Sequence, residues 1–547
     1  MSSSICLRCL KRSLVPIELS LPPNAAQRAA FSTSPSLSAN PPKKKGVVGK
    51  PIARAGKTLK LAKNKRVSTV RPPAPGERKA LRKRVVLSNT NALEVHGLQD
   101  LTTDNVDGAK VRELQGKVVG LGNDTVDALR ALEAFKPTQG WSLFRRPASL
   151  VRKETVELAE LLQAIKESNG HQVEQRVVYG ERVSGKSVLL LQGMAMAYLK
   201  GWVVVHYPEA KDITIAHTSY QPVKTADGET IYIQPHYTAQ LLGNIARANH
   251  GLLSSMRLSK QHKLPVPVQA NISLARFAEL GANDTELAWP VWQALWSELT
   301  APSQPEKEGL QRPPVFLGMD GIDYAMRDSA YLDGEAQQVH AHDLALIRDF
   351  SNFLSGKANL PNGGMVLAAT SSSNRPSAPT LDHCLSRNHA EAHLQSLLSA
   401  RDRLREQATA ANSAAELDII ELDELLTTLP PSLADQLNNF WRRIMSGQRD
   451  NVPLKNIRAI CDSFQPELPR WDPYLAIDQR VADVMNSVKV QKLQGLSKEE
   501  ARGVMEYYAQ SGMLRNTVTE GLVSEKWTLA GNGIIGELEK GTVRARF

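Results

Sequence analysis

GERVSGKS, residues 180–187, decides how this chain is read. A glycine, four residues and then Gly-Lys-Ser is the spacing of a loop that cradles phosphate. Its glycines let the backbone turn tightly and point N–H groups inward at an anion. Lys186 sets a positive charge on the outer phosphates, and Ser187 offers a hydroxyl to Mg2+. Such a loop must follow a strand and open a helix, because the helix N-terminus adds donors and a favourable dipole. The flanks meet this demand. Arg176–Tyr179 reads as a short buried strand, and SVLLLQGMAMAYL, 187–199, as a buried helix that Gly201 can end.

Outward from the loop, strand and helix signals alternate. WVVVH (202–206) is a parallel-type buried strand, and Gln240–Met256 is helical. Phe277–Leu299 contains helical turns interrupted near Gly281 and Pro290. On it Trp289, Trp292 and Trp296 share one face, as core or subunit packing requires. Residues 302–314 form a loop. VFLGMDGID, 315–323, is an apolar strand ending in an acid, which places Asp320 beside the Mg2+ and its bound water. Asp343–Leu354 is a helix and GMVLAAT, 364–370, a further strand. The Thr370-Ser371-Ser372 cluster after it either reaches toward a γ-phosphate or forms a turn. These signals predict an α/β fold with a largely parallel sheet.

The chain has 547 residues, with 42% hydrophobic and 22% charged. This suits several packed domains. No apolar run reaches the eighteen or so residues of a membrane span. Val188–Leu199 is short and interrupted by Gln192. The net charge of +11 is uneven. Residues 1–84 carry twenty Lys or Arg against Glu18 and Glu77, which leaves that segment at +18 and the rest at −7. Residues 1–36 have the Ser, Ala, Leu and Arg composition of a mitochondrial transit peptide. Arg28-Ala-Ala-Phe31-Ser32 resembles a matrix processing site and puts the mature start between Phe31 and Leu37. Residues 37–90 form a basic disordered arm with Lys43-Lys44-Lys45 and Arg82-Lys83-Arg84, suited to RNA phosphates.

Cys6 and Cys9 form a C-x-x-C inside the segment expected to be removed. Cys384 and Cys461 have no partner pattern, and His340 and His342 are expected at the surface. No Ser/His/Asp or Cys/His constellation stands out. The nucleotide-binding core is expected over 91–375, with an N-terminal extension. A helical insertion or lid follows over 376–450, broken at Leu429–Pro431. A C-terminal helical and winged-helix-like part occupies 451–547. It contains an amphipathic helix over 496–512 and short strand-like pieces around Gly531-Asn532-Gly533.

YGERVSGKS (179–187), WVVVHYPEA (202–210), VFLGMDGID and VMEYYAQSGML (504–514) together are similar to the mitochondrial small-subunit ribosomal proteins of the death-associated protein 3 family. The resemblance spans roughly residue 150 to the C-terminus. It implies a P-loop NTPase fold of the AAA/STAND-like type. It also implies a place in the head of the mitochondrial small ribosomal subunit, in the matrix. The partners implied are small-subunit rRNA, neighbouring ribosomal proteins and, across an intersubunit bridge, the large subunit. The implied cofactors are a purine nucleotide (GTP/GDP or ATP) and Mg2+.

By position, Gly180, Glu181, Arg182, Val183, Ser184, Gly185, Lys186, Ser187 and Val188 would surround the phosphates. Ser187 and Asp320 would hold the metal. SLVRKET, 149–155, resembles the segment that lines the base, through Val151 and Arg152. One departure matters: Gly321 follows Asp320 where active relatives carry a water-orienting Glu. Asp323 is the remaining candidate for that role, and hydrolysis is expected to be slow or absent. The alternatives are a free mitochondrial NTPase switch and an RNA-binding protein with a vestigial nucleotide loop.

Overall fold

A computed structural model describes residues 85–392, 395 and 469–544, apart from 169–171, 226–227, 270, 305 and 373–374. The transit peptide and most of the arm and of the 376–450 insertion lie outside the described residues. Of that insertion, 379–392 is described and is helical.

The described residues begin with a small sheet and its helices: β1 (Asp100–Leu101), α1 (Gly108–Glu113), β2 (Val118–Leu121), α2 (Asn123–Ala131), β3 (Ala148–Leu150) and α3 (Lys153–Glu167). The core follows with β4 (Val173–Gly180), α4 (Lys186–Leu199), β5 (Val203–Tyr207), α5 (Ala210–Thr214), β6 (Gln221–Lys224), β7 (Thr230–Ile233), α6 (Pro235–Ala248), α7 (His250–Ser255), α8 (Leu274–Asn283) and α9 (Thr285–Leu299). It continues through β8 (Val315–Asp320), β9 (Asp328–Leu332), β10 (Gln338–His340), α10 (Ala345–Leu354) and β11 (Gly364–Ala369). After the break come α11 (Gln479–Met485), β12 (Lys489–Leu493), α12 (Lys498–Gln510), α13 (Glu520–Leu529) and α14 (Ile535–Thr542).

The central sheet has the order β12-β4-β11-β8-β5, and every pair in it is parallel. β8 and β11 are buried along their whole length and almost wholly apolar because both faces are covered, whereas β4 carries Glu174, Gln175 and Arg176 in its first half. Alternate residues go to opposite faces. Val203, Val205 and Tyr207 join one core with Leu317, Met319 and Val366. Val204 joins the other with Phe316, Met365 and Leu367. The first core is packed by α6, α8, α9 and α10, the second by α3, α4 and the N-terminal extension. The expected α/β class with a parallel sheet is what the chain adopts.

Local departures have physical causes. The helix expected over 240–256 is two helices meeting at Asn249. That side chain is drawn to the sheet edge, where it accepts from Val204 N and donates to Val204 O, each at 2.8 Å. Gly281 does not interrupt a helix. It lies inside α8, where an added Cβ would come 2.6 Å from Leu242 Cδ1 and 2.8 Å from Val291 Cβ. The break falls at Asp284, which caps α9, and Pro290 is carried within α9. The tryptophans of α9 are core residues, and Trp292 donates to Asp349 at 2.9 Å.

The C-terminal part differs most from expectation. It supplies β12, the edge strand beside the loop-bearing β4, so it shares the central sheet. The strand-like pieces expected over 526–547 are the end of α13 and α14, joined by a turn in which Gly531, Asn532 and Gly533 all have positive φ. A run of left-handed residues makes a turn and cannot continue a strand. Among the described residues there is no winged-helix hairpin. Helices α12–α14 pack instead on Val118, Ala148 and Leu150 of the N-terminal sheet and on Phe144 in the segment leading into β3.

Candidate functional site

The 180–187 loop lies where the spacing places it, between the end of β4 and the start of α4. Gly180 ends the strand with φ +157, and a Cβ there would come 2.6 Å from the Leu493 carbonyl oxygen of β12. Only glycine allows that approach. Gly185 caps α4 in the left-handed region. Within the first turn of α4 Val188 N donates to Gly185 O at 2.9 Å, while the N–H groups of Lys186 and Ser187 lie ahead of the first intrahelical bond, the position at which a helix N-terminus can offer donors to an anion.

Lys186 is folded back into this loop. Its buried ammonium donates to Gly180 O at 3.0 Å, Glu181 O at 2.7 Å and Ser372 Oγ at 2.8 Å. Ser372 also donates to Gly180 O at 3.1 Å. Burial pulls the Lys186 ammonium down to about 8, against the opposing pull of the Asp323 and Asp320 carboxylates. Of the two readings of the Thr370–Ser372 cluster, this geometry gives Ser372 a direct contact with the loop lysine. Thr370 is buried at the strand end, its N–H on Val178 O.

Asp320 ends β8 opposite Ala369 of β11, so one strand separates the acid from the loop strand. Its Oδ2 lies 3.4 Å from Lys136 Nζ, a residue the sequence reading did not single out. Gly321 adopts φ +74, with its N–H on Ala369 O at 2.8 Å. An L side chain there costs about 1–2 kcal/mol, which accounts physically for the missing acid. Asp323 is fully buried and occupied. It accepts from Ser371 N and from Arg375 Nε, each at 2.5 Å. Burial raises its carboxyl, with Arg375 opposing. It is held by protein donors and not presented to a water.

The remaining loop positions divide. Glu181 and Arg182 are exposed, and Ser187 and Val188 are half-buried. Val183, at φ +55, accepts from Gly536 N of α14 at 3.0 Å. The Ser184 hydroxyl is buried without a partner among the described residues. Val151 is buried in the second core. Arg152 is buried beside the loop, donating to Ser184 O at 2.9 Å and to Gln494 O at 2.7 Å, with Glu154 at 3.3 Å. It ties the loop to the chain that follows β12.

An orphaned buried hydroxyl, the N-terminus of α4 and a buried ammonium together fit a polyphosphate. Ser187 and Asp320 are the hard oxygen donors that Mg2+ takes when phosphates complete its shell. Among the described residues no group of three or more His, Cys, Asp or Glu could hold a metal on its own. The histidine pair is not at the surface as expected. Both are half-buried: His340 Nε2 contacts Asp478 Oδ2 at 3.0 Å, and desolvation pulls the His342 imidazole down to about 3. The segment that carries Asp478 covers them, and nothing local in VHAHD signals that.

Comparison with known proteins adds a second line of observation. The family model described as mitochondrial ribosomal death-associated protein 3 matches residues 149–541. The small ribosomal subunit protein mS29 of Neurospora crassa is 37% identical over 554 aligned residues, covering 99% of both chains. The protein of the same name from Schizosaccharomyces pombe is 22% identical over 297 residues, 53% of this chain and 60% of its own.

Proposed function

The chain belongs to the mitochondrial ribosomal death-associated protein 3 family, and from that premise we propose that it is a structural protein of the small subunit of the mitochondrial ribosome, in the matrix. The observation that carries this reading is the match to the Neurospora crassa protein along nearly the whole of both chains. The partners are small-subunit rRNA and neighbouring ribosomal proteins, with the large subunit across a bridge. The fold is that of a P-loop NTPase, and a bound purine nucleotide (GTP/GDP or ATP) with Mg2+ is part of it. The support is the Lys186 ammonium seated in its loop with the Asp320 carboxylate one strand away.

In this reading the residues bind and do not turn over. Lys186 and the α4 N-terminus hold phosphate charge, and Ser187 and Asp320 hold the metal, which when bound neutralises further phosphate charge. Neither candidate position presents a base to water, because Gly321 has no side chain and Asp323 is bound to Arg375 and Ser371. A nucleotide held by the folded state alone stabilises it by mass action. Phosphate release from the purified chain is therefore expected to stay far below the roughly 10 per second typical of enzymes. Gly321→Glu is expected not to raise it, since positive φ resists the new side chain. A sustained rate that Ser187→Ala abolishes would favour the NTPase switch instead.

The assembly reading is tested by sucrose-gradient sedimentation of mitochondrial extract. The chain is expected to co-migrate with the small subunit, and a free pool alone would overturn the reading. In the same gradients, deletion of residues 41–84 is expected to weaken retention at raised salt while nucleotide content stays unchanged. Lys and Arg on phosphates are released steeply by salt. Equal retention of the truncated and full chains through a high-salt wash would remove the RNA role of the arm.

A further inference from the structure

The site contains a cation that the phosphate loop does not supply. Lys136 lies in Phe135-Lys136-Pro137, in the turn after α2. That turn is anchored over the C-terminal ends of β5 and β8. His206 of β5 donates from Nδ1 to Leu132 O at 2.9 Å. Glu133 accepts from Gln240 at 2.8 Å and Asn244 at 3.2 Å, both on α6. The Lys136 N–H donates to Gln139 Oε1 at 2.9 Å. Held by these contacts, the Lys136 ammonium donates to the Pro208 carbonyl just past β5 and lies 3.4 Å from Asp320 Oδ2. The two side chains are 19% and 11% exposed, so water screens the pair weakly. His206 adds no charge, because burial pulls its imidazole down to about 4.

We propose that Lys136 is a positioning residue that sets the divalent-metal affinity of the nucleotide site. Its ammonium orients the Asp320 carboxylate and competes with Mg2+ for it. The inference rests on the nucleotide reading given above. A metal arriving at a carboxylate that already faces an ammonium meets like-charge repulsion and must displace an ion pair. The same carboxylate facing only water would bind it more tightly. The contact with Pro208 has a separate consequence, since it pins the turn to the sheet edge without involving a metal.

The test uses the full chain carrying a fluorescent methylanthraniloyl-GDP or methylanthraniloyl-ADP, titrated with Mg2+ from an EDTA-treated start, with nucleotide release as the readout. Lys136→Met keeps the aliphatic stem and removes the charge. It is expected to lower the Mg2+ midpoint by about fivefold or more, the worth of a modest ion pair. Lys136→Arg is expected to keep the midpoint of the unaltered chain. In an Asp320→Asn background, Lys136→Met is expected to change nothing further. A Lys136→Met chain that still binds nucleotide with an unmoved midpoint overturns the proposal and leaves the nucleotide reading standing, with Lys136 only pinning the turn. Failure of the unaltered chain to bind either nucleotide overturns the nucleotide reading, and this proposal falls with it.

Discussion

Lys186→Ala is expected to weaken purine nucleotide binding by roughly 10- to 150-fold, the worth of a hydrogen-bonding charge in a buried site. The ammonium is buried and already oriented by two loop carbonyls and Ser372, so phosphate meets a fixed charge and not a mobile one. Chromatography of nucleotide released by denaturation reads the bound content directly, and full occupancy in the variant would refute the role. The lysine also makes binding depend on pH. In the nucleotide-free protein burial holds it near 8, below its ordinary value. Phosphate favours the charged form and raises that value, so binding takes up a proton above pH 8. Affinity should be level below about pH 7 and fall by up to about tenfold per unit above pH 8. Lys186→Ala should abolish that slope, and an equal slope in the variant would assign it to another group.

Arg312→Met is expected to destabilise the fold by about 3–5 kcal/mol, because it strands a buried carboxylate. Glu298 of α9 is 0% exposed, and Arg312 meets its Oε2 at 2.8 Å. Ser259 N at 2.9 Å, Ser259 Oγ at 3.0 Å and His262 Nε2 at 2.8 Å complete the shell. Burial pushes the Glu298 carboxyl up, and these hydrogen bonds together with Arg312 outweigh it, leaving the group below its ordinary value. A depressed carboxyl contributes stability that is present above its unfolded value and is lost as pH falls through the folded one. The denaturation midpoint in urea should drop sharply in Arg312→Met and less in the charge-removing pair Arg312→Met with Glu298→Gln. A small change in the single variant would show that the carboxylate finds water, contrary to its burial.

The strand–loop–helix arrangement at 180–187 and the central strands were legible because their signals are short in range. Loop spacing needs eight consecutive residues, and a strand covered on both faces is a nearly continuous apolar run, as in β5, β8 and β11, interrupted only by His206 and by Asp320 at a strand end. Helix α12 was legible for the same reason, since Ser497 and Glu500 form its capping box within four residues. The tryptophan face of α9 was legible through helical spacing alone.

Tertiary structure alone decided what meets the loop. Ser372 reaches Lys186 across 186 residues because β11 is inserted beside β4. Lys136 reaches Asp320 because the turn after α2 docks on the sheet edge, and no periodicity in Phe135-Lys136-Pro137 marks it. Asp323 looked available as a base from its position, yet Arg375 and Ser371 occupy it. The helices at the C-terminus were hidden because α13 and α14 are short and separated by residues of positive φ, so helical spacing has too few turns to show. Sequence spacing thus determined the parallel core and the place of the 180–187 loop between β4 and α4. Strand order and docking decided which charges surround that loop, because contacts between distant segments leave no local pattern.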